Sequence, residues 1–180
     1  MIPLEIKTYP DPCLKIRTKP VEKFDNDFKE LLRSMADMMY VGQGIGLAAP
    51  QVGLGLDFFV MDPGDGLLNV VNSEIVEVSK KRDRMEEGCL SLPGVTVSVA
   101  RPAEVKIRAQ DENGDYFIKK FEGLAAKVVQ HEMDHLEGRL LIDYLDPIRR
   151  FIASRKLMKH RNNSVEKDCE VTCHVGKKDS

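Results

Sequence analysis

The sequence predicts an α+β fold in which small antiparallel or mixed β-sheets pack around one central helix, with a further helix at the C-terminus. Two patterns carry this prediction. Short runs of β-branched and aromatic residues alternate with turn residues between positions 56 and 121, and apolar residues recur at helical spacing in three other segments. Short strands combined with separate helices are typical of the α+β class. We assign residues 1–160 to one domain and residues 161–180 to a polar C-terminal tail.

Length, composition and charge limit the possible functions. The 180 residues are 42% hydrophobic, which suits one globular domain with a sizeable core. The formal net charge of -2 argues against polyanion binding by the domain as a whole. The N-terminus lacks a basic region followed by an apolar run, and no segment approaches the roughly 18 apolar residues of a membrane span. We therefore expect a cytoplasmic protein without a membrane partner, whose four scattered cysteines are reduced.

The first forty residues predict an extended arm and then an amphipathic helix. Prolines are frequent in the first twenty residues and disfavour regular structure there. An Asp-Asn-Asp cluster beginning at Asp25 can cap a helix, and Gly42 can end it. The apolar residues between them, at helical spacing, are Phe28, Leu31, Leu32, Met35, Met38 and Met39.

The segment 44–53 is a run of small residues with one polar side chain. Gly44 and Gly46 permit the close approach of a backbone or a ligand. The run contains no lysine, so a phosphate-binding loop is not indicated. Gln51 is either an exposed turn amide or a hydrogen-bond donor directed into a site.

The middle of the chain predicts antiparallel strands. Runs at 56–61, 67–72 and 74–79 are rich in β-branched or aromatic residues and are separated by turn residues at 62–66 and 72–73. Residues 95–99 and 105–109 alternate strictly between apolar and polar. Asn113 and Gly114 then predict a hairpin turn before a strand from Tyr116 to Phe121.

The segment 128–136 carries the main chemical signal of the sequence. His131 and His135 are four residues apart, so on a helix their imidazoles lie on one face and can bind one metal ion. Glu132 lies about 100° further round the helix, where it can act as a general base for water. The pattern His-Glu-x-x-His is a metallohydrolase signature, although charged helix faces also produce it by chance.

A third ligand must come from elsewhere, and Cys89 is the best candidate. A catalytic metal site usually takes three protein ligands, and a thiolate is an accepted kind. A single cysteine is most often only a small core residue, so this assignment depends on the histidine helix. A second metal site at Cys169, Cys173 and His174 is disfavoured because these residues lie in the polar tail.

Three separated motifs give the sequence a specific resemblance. Residues 44–51 match Gly-Φ-Gly-Φ-Ala-Ala-x-Gln, where Φ is apolar, and residues 87–91 match Glu-Gly-Cys-Leu-Ser. Residues 130–135 match Gln-His-Glu-x-Asp-His. In this order the motifs resemble those of the peptide deformylases, and the resemblance covers roughly residues 3 to 160.

The resemblance implies a reaction and the residues that perform it. The reaction removes the N-formyl group from the N-terminal formyl-methionine of newly synthesised polypeptides and releases formate. The implied metal ligands are Cys89, His131 and His135. The implied catalytic groups are Glu132 as acid and base, with Gln51 and the Leu90 backbone N–H binding the oxyanion. The implied substrate-binding residues are Gly44, Ile45, Gly46, Leu124 and Val128.

Lys127 departs from the expected pattern. It lies four residues before His131, on the helix stripe where an apolar residue would wall the methionine pocket. We expect its stem to line the mouth of the pocket and its ammonium to reach outward to solvent.

The identity of the metal and two other functions stay open at this point. Ligand type alone does not select the metal. The resemblance implies Fe2+, for which Ni2+, Co2+ or Zn2+ can substitute. A zinc endopeptidase would use the same helix, but its third ligand usually lies downstream of that helix. A non-catalytic, metal-stabilised interaction domain would have a closed fourth coordination position and no need for Glu132.

The C-terminal segment predicts a basic helix that begins at Asp146 and Pro147. The residues expected on its inner side are Ile148, Phe151, Ile152 and Leu157. Its basic residues are Arg149, Arg150, Arg155, Lys156, Lys159 and Arg161. This basic side is either a solvated surface or a contact with the ribosome, where formylated chains emerge. The sequence does not set the oligomeric state.

Overall fold

The structure, a computed structural model, describes the backbone of residues 4–174 and the side chains of residues 4–161. Within that part the α-helices are α1 (Asn26–Val41), α2 (Gly123–Leu136) and α3 (Pro147–His174). The strands are β1 (Gly46–Ala48), β2 (Phe58–Met61), β3 (Leu68–Val78), β4 (Arg82–Gly88), β5 (Thr96–Pro102), β6 (Glu104–Gln110) and β7 (Tyr116–Glu122). Short 3-10 helices cover Pro12–Lys15, Ala49–Val52 and Leu141–Tyr144.

Two antiparallel sheets surround helix α2, which confirms the predicted α+β class. The larger sheet has the strand order β1-β2-β3-β6-β7, and β4 pairs with β5 in a separate two-stranded sheet. The apolar side of α2 packs on the larger sheet, where Val129 joins Phe59, Val70 and Ile107 in one buried cluster. The opposite side of α2 is therefore left to face the smaller sheet and the segment after β4.

Helix α1 forms as its sequence predicts. The Asp25 side chain accepts a hydrogen bond from the Phe28 N–H at 3.0 Å, and Gly42 follows the last turn. Phe28, Met35 and Met39 are buried in a second core cluster against β2. The hairpin of β6 and β7 also forms as predicted, around a turn in which Gly114 has a φ of 86°.

The turn predicted at residues 72–73 is wrong, because β3 runs through it as one strand with a bulge. The pairing with β6 shifts register between Val71 and Glu74. Asn72 has a φ of 50°, and its side-chain oxygen accepts from the Val21 N–H at 2.8 Å. Its amide nitrogen donates to Val21 O and Gln110 Oε1. Asn72 therefore anchors the N-terminal arm, and the strand continues through this position.

Strand β4 was not anticipated from the sequence. Its residues are mostly charged because one face of the two-stranded sheet meets solvent, so the run lacks the apolar content of a predicted strand. Only Glu87 is fully buried among its seven residues. This strand nevertheless leads directly into Cys89.

Helix α3 buries fewer of its apolar residues than predicted. Leu157 is 1% exposed and packs with Leu140 and Ile142, as expected for the inner side. Three other residues predicted for that side are exposed, at 74%, 63% and 61%: Ile148, Phe151 and Ile152. At about 100° per residue, the contact made through Leu157 turns Ile148 to the opposite side of the helix.

The predicted boundary between domain and tail is not marked by the end of a helix, because α3 continues past residue 160 to His174. The division at that position stays a prediction. Cys169, Cys173 and His174 lie outside the described side chains. Across residues 4–174, no helix combines the length and the apolar character needed to cross a bilayer.

Asp143 joins the N-terminal arm to the C-terminal helix. Its carboxylate accepts hydrogen bonds from the Lys15 ammonium and from the Leu140 N–H, and it pairs with Arg150 at 2.7 Å. Burial tends to raise the pKa of Asp143, but the Lys15 ammonium, the Leu140 N–H and Arg150 outweigh it and hold this pKa below its ordinary value. The contacts therefore favour the folded state while this carboxylate is charged.

We expect Asp143→Asn to reduce the free energy of unfolding at pH 7 by about 1–3 kcal/mol, because charge-assisted hydrogen bonds are lost. A depressed folded pKa stabilises the protein above the unfolded value, near 3.8, and this stabilisation is lost as pH falls through the folded value. The difference from wild type in urea denaturation should therefore be largest near neutral pH and shrink below pH of about 4. Glu74→Gln, which removes an exposed ion pair with Arg108, is the control and should change stability far less.

Candidate active site

One cysteine and two histidines converge on the polar side of α2. The ligand atoms of Cys89, His131 and His135 all lie within 4.8 Å of one another, which is a geometry that could hold a metal ion. Cys89 Sγ lies 3.2 Å from His135 Nε2, and the two imidazole centroids are 5.1 Å apart. The predicted i, i+4 pair and the predicted distant cysteine are thus neighbours in space.

A tight turn after β4 presents Cys89 to the helix. The Leu92 N–H donates to Cys89 O at 2.9 Å, which closes the turn. Leu92 is fully buried, so the turn is anchored in the core while Cys89 faces α2. The packing of this turn therefore sets the position of the thiol.

Glu132 lies buried against strand β1. A methyl group at Gly46 would overlap the Glu132 carboxylate, so the lack of a side chain at Gly46 makes room for it. Burial raises the pKa of Glu132 to about 7, against the opposing positive charges of His131 and Arg101. A carboxyl group with such a pKa can both accept and release a proton near neutral pH.

Gln51 is buried and links the first two motifs. The alternative interpretation of Gln51 as an exposed turn amide is therefore excluded. Its Oε1 accepts from the Ala48 N–H at 2.8 Å. Its Nε2 donates to Ser91 Oγ at 3.2 Å and lies 3.5 Å from Cys89 Sγ. The amide nitrogen is therefore held next to the group of potential ligands.

Leu90 contributes to the site through its backbone and its side chain. Its N–H has no hydrogen-bond acceptor among residues 4–161 and is available to a ligand. A methyl group added at Gly42 would lie 3.2 Å from the Leu90 side chain, and one added at Gly44 would lie 3.0 Å from it. The two glycines thus allow the loop after α1 to lie directly against Leu90.

A buried ion-pair network supports His131 from behind. Glu87 Oε2 lies 3.0 Å from His131 Nδ1, and Arg101 binds the same carboxylate through two nitrogens at 2.6 Å and 3.0 Å. Arg101 Nη1 also donates to Asp134 at 2.8 Å, and Tyr144 donates its hydroxyl to the same oxygen at 2.6 Å. A carboxylate on the outer nitrogen of a histidine fixes the ring and leaves Nε2 free to bind a metal.

The pKa shifts of this network follow from burial and charge. Burial tends to raise the pKa of Glu87, but the hydrogen bonds from His131 and Arg101 outweigh it and hold this pKa below its usual value. Burial lowers the pKa of His135 well below its ordinary value, so its ring is neutral as a metal ligand must be. Glu132 Oε2 and His135 Nδ1 are buried without a hydrogen-bond partner among the described residues.

A cavity of about 500 Å³ opens over these groups. Its lining includes every predicted substrate-binding residue: Gly44, Ile45, Gly46, Leu124 and Val128. It also includes Gln51, Cys89, Leu90, His131 and Glu132, whereas His135 lies behind the wall. Because the cavity reaches Cys89 and His131, the site is not enclosed as a purely structural metal site would be.

The expectation that Lys127 reaches outward to solvent is wrong. Lys127 lines the cavity but is only 4% exposed. Its ammonium donates to the backbone carbonyls of Arg101 and Pro102, at 3.2 Å and 3.0 Å. The end of β5 supplies acceptors within reach of the lysine stem, so the charge is kept inside and does not extend to water.

Sequence reasoning missed Arg101, although a signal was present. Val95, Val97 and Val99 point inward by their alternation, and Arg101 continues the same register. A charged residue on the buried face of a strand requires a partner of opposite charge. The nearby Glu87 of the second motif was the partner to expect.

Comparisons with known proteins agree with this geometry. The family model described as polypeptide deformylase matches residues 3–151. A peptide deformylase from Thermotoga sp. strain RQ2 is 45% identical over 153 residues, which cover 85% of this chain and 93% of the relative.

Solved structures give the same result. A peptide deformylase from Legionella pneumophila superposes with a TM-score of 0.85 at 40% identity, covering 90% of this chain and 97% of that one. A peptide deformylase from Ehrlichia chaffeensis in complex with actinonin has a TM-score of 0.86 at 36% identity. The match covers 89% of this chain and 98% of that one. The chain belongs to the peptide deformylase family.

Proposed function

We propose that this chain hydrolyses the N-formyl group of the N-terminal formyl-methionine of newly synthesised polypeptides. The observation that carries the proposal is the convergence of Cys89, His131 and His135 beside a buried Glu132 at the floor of an open cavity. Neither an endopeptidase nor a structural metal domain accounts for this arrangement in a chain of the deformylase family. Formylated chains emerge from bacterial-type ribosomes, and we propose a cytoplasmic location in which the protein meets them.

The donor set fits a divalent metal ion. One thiolate and two imidazoles supply three protein ligands and leave a position open towards the cavity. The partnerless Glu132 Oε2 also fits a site whose polar groups meet a ligand. We propose Fe2+ as the resident ion, with Ni2+, Co2+ or Zn2+ as substitutes. When bound, such an ion supplies Lewis-acid chemistry that polarises the formyl carbonyl and acidifies water.

Residues of this chain carry out the proton transfer and stabilise the negative charge that develops. Glu132 accepts a proton from the attacking water and passes it to the amine nitrogen as the formyl C–N bond breaks. The Gln51 amide and the Leu90 N–H donate to the oxygen that becomes negative, and each such donor is typically worth about 10²–10³ in rate. The products are formate and a free N-terminal amine.

The cavity walls account for substrate position. Gly44, Ile45 and Gly46 form the rim beside β1, whose outer edge has no strand partner within the described sheet. A peptide backbone can pair along such an edge. Leu124 and Val128 give an apolar wall beside His131, which suits a methionine side chain.

We expect the metal-loaded protein to release formate from a formyl-Met peptide, and Glu132→Ala to lower kcat by at least about 10³ while keeping its metal. The reason is that Glu132 transfers protons and is not one of the three ligand residues. Formate release and metal content are measured on the same anaerobically purified samples. A variant that retains a tenth of wild-type turnover at full metal content would remove Glu132 from this role.

Glu87 should control how tightly the metal is held. We expect Glu87→Gln to weaken metal binding by about 10–100-fold, because the outer nitrogen of His131 loses its carboxylate partner. Competition with a chromophoric chelator for Ni2+ measures this directly. Glu86→Gln is the matched control, since Glu86 is exposed on the same strand; equal affinities for the two variants would count against the role of Glu87.

The basic side of α3 is proposed to contact the ribosome. Arg150 pairs with Asp143 and Lys156 donates to Gly94 O, so these two residues also serve the fold. Arg149, Arg155 and Lys159 are exposed and can be changed with less structural cost. Contacts between such side chains and phosphates are expected to be strongly salt-dependent.

We expect the triple change of Arg149, Arg155 and Lys159 to Glu to abolish co-sedimentation with ribosomes at low salt, with hydrolysis of a short formyl-Met peptide preserved. The control reverses the same number of charges elsewhere, at Lys23, Arg33 and Lys119, which are also exposed. Co-sedimentation of the α3 variant at the wild-type level would leave this side of the helix as a solvated surface.

A further inference from the structure

Lys127 places a buried positive charge in the wall of the apolar pocket. It lies on one face of α2 with Leu124, Val128 and His131, and all four side chains line the cavity. Its ammonium is fixed by two backbone carbonyls at the end of β5. One of them, Pro102 O, also accepts from Gln130 Nε2 at 3.1 Å, which holds that acceptor in place.

The ammonium retains one hydrogen-bond donor that the protein does not use. A charged lysine has three N–H donors, and two of them reach Arg101 O and Pro102 O. Within the described residues the third has no acceptor. A buried donor left without an acceptor is costly, so a ligand atom that accepts from it gains more than it would in water.

The charges around Lys127 favour a neutral acceptor over an anion. Burial and the positive charges of Arg101 and Arg82 lower the pKa of Lys127, while the carboxylates of Asp83 and Glu87 raise it. A carboxylate entering the pocket would also lie in the same cavity as Glu86, Glu87 and Glu132. A neutral oxygen with strong acceptor character meets the donor without this repulsion.

We propose that Lys127 extends the substrate range of this site to N-formyl peptides whose first residue is methionine sulfoxide. This inference rests on the proposed deformylase function. Methionine sulfoxide has the chain length of methionine and carries a polar, chiral S=O group near the end of the side chain. The aliphatic part contacts Leu124 and Val128, and the sulfoxide oxygen accepts from the Lys127 ammonium.

The reaction itself is the same hydrolysis and needs no further reactant. Water adds its oxygen to the formyl carbon, the C–N bond breaks, and the amine nitrogen takes the proton. The sulfoxide is neither reduced nor oxidised. The products are formate and a peptide that begins with methionine sulfoxide.

The test compares substrates within one sample of metal-loaded protein. We measure kcat/KM for formyl-Met, formyl-norleucine and formyl-methionine sulfoxide peptides of otherwise identical sequence, with the two sulfoxide epimers assayed separately. In the wild type, the better epimer should be hydrolysed with a kcat/KM within about tenfold of formyl-Met, since one charge-assisted hydrogen bond offsets the desolvation of the sulfoxide. In Lys127→Met the sulfoxide-to-methionine ratio should fall by at least about tenfold.

The ratio is independent of the fraction of protein that is folded and metal-loaded, so a poorly folding variant still gives an answer. Lys127→Arg keeps a charged donor and should retain most of the wild-type ratio. Leu124→Met alters the same pocket without removing a donor and should leave the sulfoxide-to-methionine ratio within about threefold of wild type. The norleucine-to-methionine ratio should not fall in Lys127→Met, because neither substrate uses the donor.

The two possible failures are distinct. Absence of formate release from formyl-Met peptide by the wild type would overturn the proposed function. Normal hydrolysis of formyl-Met, combined with a sulfoxide-to-methionine ratio that Lys127→Met does not change, would overturn only the role of Lys127.

Discussion

The burial of polar side chains along α2 is the constraint on which the rest of the structure depends. Lys127, Gln130, Glu132 and His135 are all buried on this one helix. A buried polar group without a partner costs on the order of 1–3 kcal/mol, and a charged group costs more. The burial of this helix therefore depends on partners that neighbouring segments bring to most of these groups.

Each neighbouring segment supplies one kind of partner. The end of β5 offers carbonyls to Lys127 and Gln130, and Arg101 from the same strand neutralises Glu87 and Asp134. Strand β1 offers Gly46, whose missing side chain leaves room for Glu132. The two-stranded sheet of β4 and β5 is too small to form a core alone, and its place in the fold follows from these contacts with α2.

The features that could be predicted from the sequence were those fixed by local patterns. The capping of α1 at Asp25, the hairpin turn at Gly114 and the pairing of His131 with His135 each depend on a few neighbouring residues. The convergence of Cys89 on that helix is a tertiary contact, and only the three motifs together made it predictable. The course of β3 through Asn72 depends on bonds to Val21 and Gln110, which no local pattern encodes.

The errors on α2 and α3 have a related cause. We assigned a lysine on an apolar stripe to solvent because an isolated helix would expose it, but two carbonyls at the end of β5 accept hydrogen bonds from its ammonium. On α3 the apolar spacing suggested a broad inner side, whereas among its described side chains only Ala153 and Leu157 join an apolar cluster of the protein. In both helices the surface presented by the neighbouring segments, and not the helix pattern alone, decided which side chains were buried.

The buried polar groups around the site fall into two sets, those with hydrogen-bond partners and those without. Arg101 binds both Glu87 and Asp134 through hydrogen bonds, and Glu87 in turn fixes His131. Glu132 Oε2 and His135 Nδ1, by contrast, are buried without partners among the described residues. A fold that satisfied Glu132 Oε2 internally would gain stability, but it would occupy the carboxylate that the proposed reaction uses. The hydrogen-bonded network around His131 is what allows such unsatisfied atoms to persist beside it.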